Sequence, residues 1–499
     1  MGQEESRAGA RETEEEVRLK PDTTGRSRAA VLALAAVLAA AIAYDLWRMP
    51  VQASDALTEV LDAQASPSIA TSFGHAIGTT SYLRPLRIAQ IKALFDLAQG
   101  RNYRLVYRGF HALLIVLLIW LFVRALPIES PLDAAAAAVA LTVLIGLHTF
   151  LGFLREAFPI NHFLEIAVLV LVALNLTLSN GGLPRAGSRG WIIDLLAGLT
   201  FVFAALTLES GVLIWVVIAA AWFLGLRGVS ARGLGFVTAL MAGYFVLRFW
   251  YLETGLPSLT ERTSGFLLER LEPSEIQQRF GDRPLVFYAY NIVASFLSVL
   301  FSEPRDGLFV ATRAWRGGDV HPQAYLTVLS STAMTLTMAW AALRWWRGGS
   351  TLGRSGRRAV IAVVILAANA ALSFSYTKDD IIAVAGVFYA FAAFATIRAV
   401  LEYAQAGGAV RGLVVSVILL ALGSAWAMRG SGVHHVMNEH AFRTRNDWAE
   451  LPIRWQQEGR WPKEPQPLAL IERLRDQALQ AEVPNPQLLP EWRSQWYGD

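Results

Sequence analysis

Five carboxylates, Asp45, Asp55, Glu156, Glu165 and Glu209, stand at or near the ends of strongly apolar segments. An ionised carboxylate is costly in lipid, so acids in such places are solvated caps or are kept for function. Group transfer to a hydroxyl is one chemistry that uses them, because a base must reach the acceptor and hold a pKa suited to its task. Asp55, in PVQASDAL, lies beyond the first apolar run, where an acceptor approaches from water, and is the first candidate base. Asp45, at the end of that run, is the second, and of the two it better suits a structural role. Glu165, in INHFLEIAVL, lies inside its span, and Glu209 interrupts the apolar run FAALTLESGVLIWV, where it also fits a sharp hairpin held by Ser210 and Gly211. Asp55 and Glu156 have the oxygen donors to hold a divalent cation such as Mg²⁺ or Mn²⁺. His75, His111, His148 and His162 never fall at a close ligand spacing, so the histidines assign no metal. The chain has no cysteine, which excludes disulfides and thiolate sites.

Cations share a loop with these acids. After Asp55, the stretch TSYLRPLRIAQIKALFDLAQGRNYRLVYRGFHALL (80–114) carries six basic side chains before His111. Arg84 precedes Pro85, whose fixed φ suits the first turn of a helix. The spacing of Ile88, Ile91, Leu94, Phe95 and Ala98 predicts an amphipathic helix over 85–99 lying on the membrane surface. Arg84 then sits at the positive end of a helix dipole, where an anion, and above all a phosphate, is attracted. Arg87 follows within the first turn, and Lys378, in TKDD (377–380), is a second phosphate partner from a distant loop. The alternative is that Arg84, Arg87, Lys92, Arg101 and Arg104 only touch lipid headgroups.

The elements that must position these residues are membrane helices. Of 499 residues, 54% are hydrophobic and only 17% charged, which is too apolar for a soluble chain and fits an all-α polytopic membrane protein. Apolar runs near the required length of about 20 residues occur at 29–47, 106–126, 131–154, 160–179, 190–208, 210–226, 233–252, 284–302, 323–345, 359–376, 381–401 and 411–428. A net charge of +4 implies no nucleic-acid partner. Short cytoplasmic loops retain Lys and Arg, so with the amino terminus inside, Arg124, then Arg185 and Arg189, then Arg227 and Arg232 fall in successive inner loops. The arginines of RWWRGGSTLGRSGRR (344–358) also fall inside only if 284–302 is re-entrant or lies along the outer surface.

That leaves about eleven spans. The expected plan is a disordered cytoplasmic head (1–28), a transmembrane domain (29–429) with outer loops at 48–105 and 254–322, and a small extracytoplasmic C-terminal segment (430–499) with a helix near PLALIERLRDQAL. The first segment is read as an uncleaved anchor although AAAIA offers small residues suited to cleavage. All five acids then share the outer face of a multi-pass protein, expected in a bacterial inner (cytoplasmic) membrane.

Several of these residues resemble one family. Acids after span one, a Tyr-x-Arg-Pro-Leu element (Tyr82, Arg84, Pro85, Leu86) and Gly100, Tyr107 and His111 leading into span two look like the GT-C membrane glycosyltransferases. The likeness is greatest to the protein O-mannosyltransferases and to the transmembrane O-mannosyltransferases with tetratricopeptide repeats. His148 with Glu156, LTLESGVLI (206–214) and RTRNDWAELPIRW (443–455) follow the family order. The chain departs from it at Leu208, where the family has Lys, at Asp45-Leu46, where it has a paired acid, and in stopping where the repeats begin.

The resemblance implies a GT-C-like bundle performing a metal-variable, inverting transfer of a sugar from a polyprenyl-phosphate donor to an extracytoplasmic glycan, lipid or protein. It also implies a first-loop Asp as the base; from the residues themselves, Asp45, Glu156 and Glu209 are the further candidate acids, and Arg84, Arg87 and Lys378 are the candidates to hold the donor phosphate. Two rivals remain at this level: a transporter or flippase of a lipid-linked or small anionic substrate, and a silent scaffold for envelope assembly.

Overall fold

The computed structural model describes residues 2–53, 55–78, 82–99, 102–155, 159–179, 190–254, 259, 262–303, 310–318, 322–348, 353–483 and 485. Side chains are described from Thr24 onward, those of Asp55, Val310, Ala311, Arg313 and Arg354 excepted. The chain begins with α1 (Gly2–Arg48), followed by three short helices, α2 (Asp55–Ala65), α3 (Ile69–Gly78) and α4 (Pro85–Leu97), and by α5 (Tyr103–Ala125). Next come α6 (Pro131–Gly146), α7 (Gly152–Arg155), α8 (His162–Thr177), α9 (Gly190–Thr207), α10 (Leu213–Phe223) and α11 (Ala231–Phe245), which continues as a π-helical turn, Val246–Tyr251. An antiparallel hairpin, β1 (Ser264–Phe266) and β2 (Glu269–Leu271), precedes α12 (Pro273–Phe280) and α13 (Pro284–Phe301). The remainder is α14 (Val310–Gly317), α15 (Pro322–Arg347), α16 (Arg354–Leu372), α17 (Ala383–Gln405), α18 (Gly408–Gln457) and α19 (Pro465–Leu479).

Among the described residues nine helices are long and apolar enough to cross a membrane. They become ten if α6 and the His148–Arg155 segment, bent by 62° against it, form one span. The architecture is therefore that of a polytopic helical membrane protein. α17 is its central helix, buried along most of its length and packed on α6, α8, α15, α16 and α18. Both α6 and α17 bury small residues, Ala136, Ala137 and Ala140 on the one and Ala390 and Ala393 on the other, the kind of residue that lets packed helices approach closely. Local signals set the helix starts: Ser130, Asn161 and Ser230 each accept a backbone N–H of the first turn of α6, α8 and α11.

One expectation changes, and two helices run across boundaries drawn from the sequence. α4 is packed by α2, α3, α5 and α9, with Ala89, Ile91 and Lys92 all buried, so it is an internal strut at one end of the bundle and does not float on the membrane surface. Its apolar side chains do not gather on one face, so the amphipathic stripe expected over 85–99 is not formed. The helical backbone of α1 starts at Gly2 and runs through the 1–28 head. α18 runs through the 429/430 boundary without a break to Gln457.

The terminal part of α18, with α19, α2, α4 and the start of α5, builds a second apolar core around Leu57, Ile91, Tyr107, Trp448, Leu451 and Ile471. Trp448 Nε1 donates to Val51 O at 2.5 Å and Tyr107 Oη to Ile91 O at 3.0 Å. This small cap covers one end of the bundle. Segment 284–302 forms a full helix, α13, apolar enough to span, but its C-terminal end is placed by α15: Thr335 Oγ1 donates to Leu300 O at 2.5 Å and Ser331 Oγ to Ser302 Oγ at 2.6 Å. Thr335 also meets the Tyr389 hydroxyl at 3.0 Å. Tyr389 is only about a turn and a half into α17, whereas the far end of α17 lies beyond Arg398, paired with Asp133 at 3.1 Å. α13 thus stops on the side of the bundle where α17 begins.

Candidate functional site

Arg84 precedes the first turn of α4, with Pro85 supplying the fixed φ that starts it. Its partner is Glu209, which opens a 3-10 turn, Glu209–Val212, between α9 and α10. Arg84 Nε lies 3.0 and 2.9 Å from the two Glu209 oxygens, and Nη2 donates to Oε2 at 2.5 Å, the forked geometry that matches guanidinium to carboxylate. Arg84 also lies over the Tyr82 ring, 4.3 Å from its centroid. Burial works against the Arg84 charge, but the Glu209 carboxylate, helped by Tyr376 and Tyr82, outweighs it and holds the pKa above its ordinary value.

The Glu209 turn depends on Gly211. A Cβ there would overlap the backbone of Ala204 and Ala205 at the end of α9. Gly211→Ala is therefore expected to force the turn away from α9, with a loss of about 1–3 kcal/mol and a displaced Glu209. Thermal unfolding of the purified variant checks this, and an unchanged melting temperature contradicts it.

A second guanidinium completes the clamp. Arg248 comes from the π-helical turn after α11, where Leu252 N bonds Leu247 O at 3.0 Å. Its side chain is 7% exposed, with Nη1 3.6 Å from Glu209 Oε1 and 3.2 Å from the Tyr244 hydroxyl. The buried Nε has no partner among the described residues. π-Turns insert a residue into a helix and recur at functional sites.

These groups line a cavity of about 460 Å³. Five cations face it, Arg84, Arg87, Arg248, Arg262 and Lys378, against two described carboxylates, Glu59 and Glu209. Arg87 pairs with Glu59, Lys378 Nζ lies 2.7 Å from Asp380, and Arg262 stands over Tyr376 at 5.2 Å. The β-hairpin is tied beside Lys378, with Ser264 Oγ 3.0 Å from Thr377 Oγ1. Phe163, Phe245, Phe249 and Phe374 supply apolar wall. Such a lining puts several cations beside apolar wall, in a setting where charges are screened by protein more than by water.

Arg84, Arg87, Lys378 and Glu209, all singled out in the sequence, thus meet around one space. Asp45 does not line it; it pairs with His434 of α18 at 2.6 Å. Glu165 is buried behind the wall, accepting from Gln90 at 2.6 Å and lying 3.0 Å from His162 Nδ1. Asp55 begins α2, whose Ala56 and Glu59 line the cavity, but its side chain is outside the described residues. Glu156 is outside them altogether. Among the described residues no three His, Asp or Glu side chains are placed to share a metal ion.

Arg248, Glu59, Arg262 and Tyr376 were missed by reading the sequence. Arg248 had a usable signal, a lone cation in the apolar run YFVLRFWY. Glu59 had a weaker one, an acid one turn after Asp55. Compared with protein-family models, with curated proteins and with solved structures, the chain matches none.

Proposed function

We propose that this chain is a GT-C-type membrane glycosyltransferase that moves a sugar from a polyprenyl-phosphate donor to an extracytoplasmic acceptor with inversion. The observation that carries this reading is the cavity in which Arg84 and Arg248 converge on one carboxylate while three further cations face the same space. In an inverting transfer, a base takes the acceptor proton and the acceptor oxygen attacks the anomeric carbon. The bond from that carbon to the phosphate oxygen breaks, and its electron pair leaves with the lipid phosphate. Negative charge grows on the phosphate in the transition state, so cations fixed beforehand stabilise that state. Arg84, Arg248 and Lys378 take that role, with Arg87 held nearby by Glu59. Asp55 is the proposed base, with Glu209 as the counter-ion that fixes the guanidiniums before the donor arrives.

A transporter is expected to hold its ionisable groups near the midplane. Here the cavity is lined from helix ends: the start of α4, the α9–α10 turn, the end of α11, and the segment between α16 and α17. This favours chemistry at one face. The test is a panel of defined polyprenyl-phosphate sugars given to the purified protein in nanodiscs, with release of polyprenyl phosphate followed by mass spectrometry. At least one donor is expected to be consumed with transfer or slow hydrolysis, and a protein that neither consumes nor binds any of them is not this enzyme.

The topology belongs to the same proposal: about eleven spans, the amino terminus and the 344–358 loop cytoplasmic, the cavity outside, and α13 re-entrant. Its support is the end of α13 beside the first part of α17, together with the arginines of 344–358. The chain has no native cysteine, so a Ser350→Cys variant labels cleanly. An impermeant maleimide is expected to leave it unlabelled in intact cells and to label it after permeabilisation. Labelling in intact cells contradicts the arrangement.

A further inference from the structure

The π-helical turn that sends Arg248 inward has a second, apolar side. Val246, Trp250 and Tyr251 are 59%, 82% and 77% exposed, while Arg248 is 6% exposed. Between these extremes stand Phe245 and Phe249, whose rings stack with centroids 6.0 Å apart. Both rings line the cavity, and both also line an open groove on the outside of the bundle with Val246, Trp250 and Glu253. The wall between cavity and groove is therefore one layer of side chains. Of the described residues that line the cavity, only Phe245, Phe249 and Arg262 are exposed. The cavity thus has a cationic approach at Arg262 and an apolar one at the two phenylalanines.

We infer that the Phe245–Phe249 wall is the portal through which the isoprenoid chain of a phosphate-bearing lipid passes from the cavity to the bilayer. This rests on the reading of the cavity as a lipid-phosphate site. Charge complementarity selects the occupant. Arg84 and Arg248 share the single carboxylate of Glu209 and so favour a further anion, the groove favours an apolar chain, and the two are joined through a single pair of rings. A neutral lipid leaves the guanidiniums with Glu209 alone, and a free phosphate leaves the aromatic side unused. The wall consists of partly exposed rings. A π-turn is a local insertion in the helical ladder, and rotation of two partly exposed rings about χ1 opens a slot without moving α11.

The test is photolabelling of the full-length protein in nanodiscs with farnesyl phosphate bearing a diazirine at the end of its chain, followed by peptide mapping. Label is expected on the 245–251 segment, cut about tenfold by an excess of about tenfold of unlabelled farnesyl phosphate, the ratio for equal affinities. Inorganic phosphate is expected to compete weakly, and diazirine-farnesol to label the segment without that competition. Arg248→Gln is expected to reduce the competed label. Label that is competed but maps to another face of the bundle overturns the portal while leaving the phosphate site in place. Label on 245–251 that farnesyl phosphate does not compete marks ordinary lipid contact and overturns the portal too. No competed label anywhere in the protein removes both the portal and the lipid-phosphate reading.

Discussion

Arg84→Ala is expected to lower sugar transfer by about 10²–10³-fold, the range for losing one fixed donor to charge developing in a transition state. Arg84→Lys is expected to recover only a small part. The reason is geometric. Three N···O distances of 2.5 to 3.0 Å already hold the Glu209 carboxylate in a fork, and a phosphate presents the same pair of oxygens to the same guanidinium. Lysine keeps the charge but is a point donor on a flexible stem. Glu209 keeps Arg248 as a neighbour in both variants, at 3.6 Å, so the turn retains one of its two arginine contacts. Initial rates and apparent donor affinity, measured beside the melting temperature, separate the chemistry from the fold. Unchanged kinetics in both variants assign Arg84 to lipid-headgroup contact.

Asp55→Asn is expected to cost about 10² or more in turnover, as for a positioned general base, with the melting temperature unchanged. The amide keeps the shape and cannot take a proton. Asp45→Asn is expected to cost little, because Asp45 is engaged with His434 and does not line the cavity. The paired rates under saturating donor decide between them. Full activity of Asp55→Asn together with loss in Asp45→Asn moves the base to Asp45, and full activity of both removes a first-loop base from the mechanism.

The helical frame was largely legible, because an apolar run must satisfy its backbone internally and does so as helix; each of the twelve runs contains one. The convergence on the cavity was legible in part. Arg84 announced itself through Pro85, and Glu209 through its place in an otherwise apolar run. Of the six cations in 80–114, however, Arg101 lies outside the described residues, and of the other five only Arg84 and Arg87 line the cavity. Arg104 donates to Trp47 O at 2.7 Å and Arg108 to Met49 O at 3.2 Å, satisfying carbonyls at the end of α1, and Lys92 pairs with Asp96 at 2.7 Å. Sequence spacing cannot separate these uses, since each depends on which distant element lies opposite. The same holds for Arg248: the π-turn that aims it inward has no marker residue in the run. For α4 the expected apolar stripe is not there: its apolar residues are spread around the helix, which packs among α2, α3, α5 and α9 where a single lipid surface was expected.

Equilibrium binding of farnesyl phosphate to the protein in nanodiscs tests the central claim most directly, since the lipid phosphate is common to every donor whatever the sugar. One saturable site per chain is expected. Affinity should fall about tenfold or more in Arg84→Ala and in Arg248→Ala, as for loss of a hydrogen bond to a charged group, and remain unchanged in Lys92→Ala, whose side chain lies outside the cavity. Binding that does not saturate, or that is equally strong in all three variants, contradicts a lipid-phosphate site between Arg84 and Arg248.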